Sequence, residues 1–467
     1  MPILPQIHTS SYRSSLCVKY NEGIISVESL SLMSLAPYLP QDRLRALSRG
    51  EILPEHTAGS VMLADISGFT PLTEGLQFSL GPRKGAEELT SHLNAVFSAL
   101  IPEVERYGGS VLSFAGDAIT CWFDQAEGDS AIHAVAAAFA MQKAMGAFTA
   151  IPLPDETTTA LSLKTAIASG PARRLVIGDP AIHYLDALAG NTVDRTSTGE
   201  HLANQGEILL DEATVEALGE LLTVMEWRSE EPHGERFAVA EALTAALPPP
   251  SLPPLLHLPP NRLQVWLPYA ILMREQLGQS DFQTEFLPCA VLFVRFGGID
   301  FESEDCQDQL DAFVSMLQST AKQYDAVFLQ LNIGDKGSYA YLNFGALQTH
   351  EDNNRRVVRA ALDILAGSDL PLQIGIAAGP MIIGAYGSKT RKTFGALGDD
   401  VNLAARLMTT AAVGEILVSQ NIHKATRADF NFEPRSPLPM KGKAEPLPVF
   451  SVTGERKKRA MRLQEPN

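Results

Sequence analysis

The chain is short of the residues that build metal cages and disulfide frameworks: its 467 residues include four cysteines, Cys17, Cys121, Cys289 and Cys306. None forms a CxxC pair, and no His/Cys cluster has zinc-ligand spacing, which excludes the common zinc modules. A reducing compartment fits, with these thiols as small buried or incidental residues. No apolar run reaches the ~18 residues that span a bilayer. The most apolar helix-like stretch, Ala131 to Ala150, is broken by His133, Gln142 and Lys143. The N-terminal text is rich in Leu and Ser but lacks a basic region followed by an apolar core and a cleavage site. The expected location is cytoplasmic, with no membrane partner. GxxxxGK[ST], GxSxG and HExxH are all missing, which sets aside a P-loop NTPase, a nucleophile elbow and a zincin. Cations are also short: 37 Lys and Arg against 54 Asp and Glu give a net charge of −17. Such a surface repels a phosphate backbone, so no nucleic-acid partner is expected. A nucleotide is still compatible, because metal ions can bring a triphosphate to carboxylates.

What is present suffices for two hydrophobic cores. Composition is 45% hydrophobic and 19% charged, ordinary for a globular protein, and this length favours two domains. Residues 248–260, PPPSLPPLLHLPP, hold seven prolines in thirteen positions. Proline removes a backbone donor and fixes φ, so this segment reads as a stiff linker. The expected organisation is a lead-in at 1–54, a first domain at 55–245, a linker at 246–285, a second domain at 286–455 and a charged tail at 456–467.

The halves repeat one another. GNTVDRTSTGEHLANQGEIL from Gly190 aligns without a gap on GDDVNLAARLMTTAAVGEIL from Gly398, an offset of 208. IASGP ending at Pro171 matches IAAGP ending at Pro380. Internal periodicity of this kind marks a duplicated unit. SVMLAD (60–65) and CAVLFVRF (289–296) read as buried strands. Leu89, Leu93, Val96, Leu100 and Val104 share one helix face that Gly108 and Gly109 close. VLSF and ITCWF flank Ala115-Gly116-Asp117 as a β-hairpin. The pattern is α+β.

Two short motifs carry chemistry. DISGFT places Asp65 at the end of the first strand, and FAGDA places Asp117 at a hairpin tip. Carboxylates at a strand end and a tight turn can meet, although 52 residues separate them. Two such groups can bridge a pair of Mg²⁺ ions. An aspartate that merely caps a turn explains either motif alone, but not both motifs together with the repeat.

In DISGFTPLTE (65–74), GAEEL (85–89), SFAGDA (113–118), GDKG (334–337), GDDVNLAARL (398–407) and the lead-in LAPYLP (35–40), the chain resembles the class III adenylyl/guanylyl cyclase family. It is similar in particular to the soluble, bicarbonate-responsive type, with two cyclase domains in one chain. The resemblance implies two ferredoxin-like α+β domains forming an intramolecular head-to-tail pseudo-dimer in a monomeric chain. It implies conversion of a nucleoside triphosphate, ATP favoured, to cyclic AMP and pyrophosphate by in-line attack of the ribose 3′-OH at one site. It assigns two Mg²⁺ ions, for which Mn²⁺ can substitute, to Asp65, Ile66 and Asp117. Ser67, Gly68, Phe69, Thr70 and Lys164 are assigned to the phosphates, Asn402 to the ribose and Arg406 to charge at the α-phosphate. Asn402 and Arg406, four apart on a helix, share a face.

The repeat adds an argument of its own. Alignment sets Arg295 opposite Asp65, Asp194 opposite Asn402 and Thr198 opposite Arg406. A guanidinium cannot ligate a metal. One complete site and one degenerate site are expected.

The departures from the family pattern concern base and regulator. The adenine-selecting lysine falls on Gln330 and its partner on Gly395. An amide can both donate and accept, so relaxed ATP/GTP selection, or a weak or inactive nucleotide-binding pseudocyclase, are the alternative expectations. The two cations of the bicarbonate site fall on Ser113 and Ser197, so stimulation by that anion should be weak.

Overall fold

The computed structural model describes residues 19–20, 23–24 and 32–456, apart from 230–233, 245–247, 249, 253, 279–283, 335–336 and 440–444. After a short helix, Gln41–Arg49 (α1), the first half runs His56–Ser67 (β1), Phe69–Arg106 (α2), Ser110–Ala115 (β2), Ala118–Asp124 (β3), Ser130–Met145 (α3) and Ser162–Ile177 (β4). It continues with Leu185–Ala189 (β5), Asn191–Leu202 (α4), Ile208–Asp211 (β6), Glu212–Leu218 (α5), Leu222–Ser229 (β7) and Arg236–Leu243 (β8). A linker helix, Tyr269–Gln276 (α6), follows. The second half repeats the series: Thr284–Phe296 (β9), Cys306–Gln323 (α7), Ala326–Asn332 (β10), Ser338–Phe344 (β11), Asn353–Gly367 (α8) and Leu372–Gly387 (β12). It ends with Lys392–Leu397 (β13), Asp399–Thr410 (α9), Glu415–Ser419 (β14), Gln420–Thr426 (α10), Phe430–Leu438 (β15) and Leu447–Glu455 (β16).

The two eight-stranded sheets have one topology. The first runs β2–β3–β1–β4–β6–β8–β7 with β5 on β4, and the second β10–β11–β9–β12–β14–β16–β15 with β13 on β12. The order β2–β3–β1–β4, antiparallel throughout, is that of a β-α-β-β-α-β ferredoxin-like unit. The register repeats as well. Asp65 pairs with Lys164, and Arg295 pairs with Gln373, so the alignment of Arg295 with Asp65 holds in three dimensions.

The periodic face read from the sequence is buried: Leu93, Val96, Leu100 and Val104 of α2 lie in the first core, with Leu89 at its edge. The helix starts earlier than the sequence suggests, at Phe69, and kinks where Gly81 takes a positive φ of 78° just before Pro82. The cores also exchange an arm. Leu175, Ile177, Ala187 and Ala189, from β4 and β5, lie in the core of the second half, and Tyr386 of β12 lies in that of the first. A fully buried Leu or Ile contributes roughly 1.5–3 kcal/mol relative to exposure, so separating the halves would strip each of part of its core. Leu35, Leu39 and Leu44 of the lead-in and Leu258, Leu263 and Leu267 of the linker cover the second sheet's other face. The linker is therefore packed, not a free spacer. Cys121, Cys289 and Cys306 are buried free thiols; Cys17 lies outside the described residues.

Candidate active site

Asp65 stands near the end of β1, and the β1–β3 ladder pairs it with Ala118. Asp117 is the neighbour of Ala118 in the β2–β3 turn, where Gly116 takes φ 67°. Strand pairing thus sets the two carboxylates side by side at one edge of a cleft of about 880 Å³. The opposite wall comes from the second half. Helix α9 begins after Gly398 and presents Asn402 and, one turn on, Arg406. Arg406 is exposed to the cleft and forms no ion pair among the described residues, which argues against an ordinary surface salt bridge.

Asp65, Phe69, Thr70, Asp117, Gln330, Asn402 and Arg406 all line this cleft. Ile66, Ser67, Gly68, Lys164 and Gly395 do not. The segment after Asp65 is strand as far as Ser67: Ile66 pairs with Leu163 and Ser67 with Ser162. The Ile66 side chain is buried in the core, so only its backbone can serve a metal. Gly68, φ 105°, ends the strand against the Ala160 carbonyl, where a Cβ would fall 2.4 Å away. Helix α2 then opens toward the cleft with Phe69 and Thr70, and a helix N-terminus favours anions.

Lys164 lies behind the wall. Its ammonium is 3.4 Å from Asp65 and closer still to Glu200 of α4. Burial works to lower its pKa, but the Glu200 bond and the Glu200 and Asp65 charges prevail and leave it raised. Glu200, buried yet on the cleft lining, was not singled out from the sequence. The signal existed: the repeat sets it opposite Met408, a charge against a thioether. Tyr386 was missed as well; it lines the floor of the cleft, and burial, then the Asp117 charge, push its pKa up.

Gln330 is less free than the sequence suggests. Its amide donates across the domain boundary to the Phe114 carbonyl and, at 3.0 Å, to Asn332 Oδ1. Both are acceptors, and a backbone carbonyl can only accept. The NH₂ end is thereby committed, so this amide does not offer donor and acceptor alike to a base. Gly395 sits one residue outside the lining, and a Cβ there would come 3.0 Å from the Tyr386 ring.

The pseudo-equivalent position in the other direction is closed. Ser197 of α4 donates to the Gly334 carbonyl at 3.1 Å, and Val193 packs on Gly334. Glu302 accepts from the backbone N–H of Asn191 at the start of α4. Arg195 is bound to Asp211 and to the Ser169 carbonyl, so it does not supply the missing cation. Of GDKG, Asp335 and Lys336 lie outside the described residues.

No cluster of three or more His, Cys, Asp and Glu side chains suited to a metal occurs among the described residues. Asp65 and Asp117 nevertheless fit hard oxygen-seeking ions, which take one or two carboxylates and fill the remaining positions with water and phosphate.

Comparison with known proteins bears on the family and the fold. The model of the adenylate and guanylate cyclase catalytic domain matches residues 53–233 and 311–454, more than half of the chain. Adenylate cyclase type 10 of Rattus norvegicus is 23% identical over 468 residues, covering 92% of this chain and 28% of that protein. The human protein of that name is 24% identical over 446 residues, covering 86% of this chain and 27% of its own length. The chain thus spans little more than a quarter of these curated relatives. Among solved structures, a class III adenylyl cyclase-like ATP-binding protein from Pseudomonas aeruginosa covers 84% of this chain and 94% of itself, with a TM-score of 0.55 and 14% identity; this likeness concerns the fold. No helix among the described residues is long and apolar enough to cross a membrane.

Proposed function

This chain belongs to the adenylate and guanylate cyclase catalytic-domain family, and on that premise we propose that it converts ATP to cyclic AMP and pyrophosphate at one site between its tandem domains, as a monomeric, cytoplasmic enzyme. The observation that carries the reading is the cleft that joins Asp65 and Asp117 of one half to Asn402 and Arg406 of the other.

Asp65, the Ile66 carbonyl and Asp117 would hold two Mg²⁺ ions, or Mn²⁺ in their place. When bound, these ions acidify the ribose 3′-OH and neutralise charge on the triphosphate. The chain's own groups do the rest. The start of α2 at Phe69 and Thr70 offers backbone N–H groups to the phosphates. Asn402 holds the ribose so that its 3′ oxygen lies in line with the α-phosphorus. Arg406 donates to the oxygens on which charge accumulates as the bond to pyrophosphate breaks. Lys164, anchored by Glu200 and next to Asp65, keeps a positive charge beside the carboxylates.

ATP is favoured on chemical grounds. With its NH₂ committed to Phe114 and Asn332, Gln330 is left with its carbonyl to offer a base. An acceptor suits the amino group of adenine and repels the O6 of guanine. A non-catalytic nucleotide-binding role is the second reading, favoured by Gly395, which brings no side chain to the base. The deciding experiment incubates purified protein with ATP or GTP and Mg²⁺ or Mn²⁺ and measures cyclic product. Turnover of ATP supports the enzyme; nucleotide binding with no cyclic product under any condition supports the second reading.

A further inference from the structure

The molecule contains a buried arginine that the site description leaves without a role. Arg391 lies in the turn between β12 and β13, 5% exposed, and no carboxylate forms an ion pair with it among the described residues. Its guanidinium is satisfied by carbonyls alone. Nε donates to Val111 at 2.7 Å and Nη2 to Leu112 at 2.8 Å, both on β2 of the other half. Nη1 reaches Lys392 at 2.7 Å, Tyr38 at 3.0 Å and Pro37 at 3.4 Å. The plane lies over the Phe114 ring at 5.2 Å. Burial pushes its pKa down to about 10, so it remains charged at neutral pH.

An unpaired buried cation is expensive, so its placement is informative. β2 is an edge strand of its sheet. Its ladder with β3 shifts register between Val111 and Ser113 and skips Leu112, a bulge. Two consecutive carbonyls are thereby open to one planar fork, which lysine could not match. Three residues beyond Leu112 the strand ends at Ala115, and the hairpin tip carries Asp117. Phe114, beneath the guanidinium, is also the acceptor of Gln330. The same turn is seated by Gly387, whose N–H donates to Asn94 of α2 at 2.9 Å.

The pseudo-equivalent turn shows what is special here. Gly178 donates to Asp311 of α7 as Gly387 does to Asn94. The residue that faces the matching strand from that turn is His183, whose ring is buried against Phe328 and whose two nitrogens have no partner among the described residues. Of these two turns, the arginine fork stands beside the hairpin that bears Asp117.

We propose that Arg391 is a positioning residue: by gripping the Leu112 bulge it sets the β2–β3 hairpin, and with it Asp117, in register with Asn402 and Arg406. The proposal rests on the cyclase reading for its kinetic test but not for its structural one. In Arg391→Met, kcat falls at least tenfold, the Mg²⁺ concentration for half-maximal rate rises severalfold, and the KM for ATP moves less. Amide hydrogen exchange over 110–119 quickens at least tenfold, while 372–384 keeps its wild-type rate. Arg391→Lys, which can make part of the contact, recovers part of each effect. A Met variant with a lowered Tm but wild-type kcat, metal requirement and hairpin exchange overturns the proposal, because the arginine would then be structural only. If Arg391→Met does not fold, Asn94→Ala loosens the same turn, and unchanged exchange over 110–119 together with an unchanged metal requirement overturns it equally. Wild-type protein without turnover sinks the cyclase reading; the exchange comparison still decides the role of Arg391.

Discussion

The two halves share strand order and register, yet one interface is an open cleft and the other is shut. Where the first half ends β1 and its hairpin with Asp65 and Asp117, the second has Arg295 and a Gly334 turn pressed on Val193 and Ser197. Where α9 faces space with Asn402 and Arg406, α4 has its first N–H bonded to Glu302. A duplicated fold therefore does not give two like interfaces. One sets two carboxylates opposite Asn402 and Arg406 across a cleft; in the other, among the described residues, Ser197, Val193 and Gly334 contact each other directly.

The largest expected effect tests that division. Asp65→Ala or Asp117→Ala should lower cyclisation by roughly 10³-fold or more, the several kcal/mol that metal ions contribute, with Tm little changed. Arg295→Ala at the mirrored place should leave the rate within about twofold. A severe loss from Arg295→Ala would mean that the closed side takes part.

Next in size is Arg406→Ala, expected to cost on the order of 10²–10³ in kcat with KM nearly constant, as for a donor to charge that develops in the transition state. Thr198→Ala, its counterpart, should be close to neutral. Steady-state kinetics on both variants read the contrast; a change confined to KM would move Arg406 from catalysis to ground-state binding.

The closed interface should also be the acid-sensitive one. Burial holds His183 neutral and pushes its pKa down to about 4. In the unfolded chain it titrates near 6.5, so between these values the unfolded state binds more protons. Stability is then full above about pH 6.5 and falls as pH drops toward 4, by on the order of 3 kcal/mol in all. Urea unfolding of His183→Leu against wild type over this range should show that slope reduced; equal slopes would place the acid sensitivity elsewhere.

Smaller effects concern the base and the regulator. Gln330→Ala should shrink the ATP:GTP ratio of kcat/KM by about tenfold, the worth of one hydrogen bond to a base; an unchanged ratio would show that other residues read the base. Gln330→Lys with Gly395→Thr should raise ATP selectivity only if the Tyr386 ring yields to the new Cβ. Bicarbonate at constant pH and ionic strength should change the rate by less than about twofold, since Ser197 is already bonded to Gly334. Stimulation of severalfold would require cations from other residues at the closed interface.

Much of this was legible beforehand because chemistry constrains residue type locally. Asp65 and Asp117 were read from a strand end and a turn, and Asn402 and Arg406 from one helix face, so short motifs and the repeat sufficed to pick out four residues that line one cleft and to pair Asp65 with Arg295. The length of the first strand was not legible, because whether Ile66 and Ser67 are loop or strand depends on their pairing with Leu163 and Ser162. Three contacts were decided by tertiary structure alone: Lys164 held between Asp65 and Glu200, Gln330 committed to the Phe114 carbonyl, and Arg391 gripping the Leu112 bulge. The first joins cross-strand neighbours of one sheet to a carboxylate on α4; the last two join groups 216 and 279 residues apart and depend on where a carbonyl ends up once the two halves have packed. Composition and spacing carry no record of that placement, because it is fixed only when strands, helices and the two halves have packed against one another.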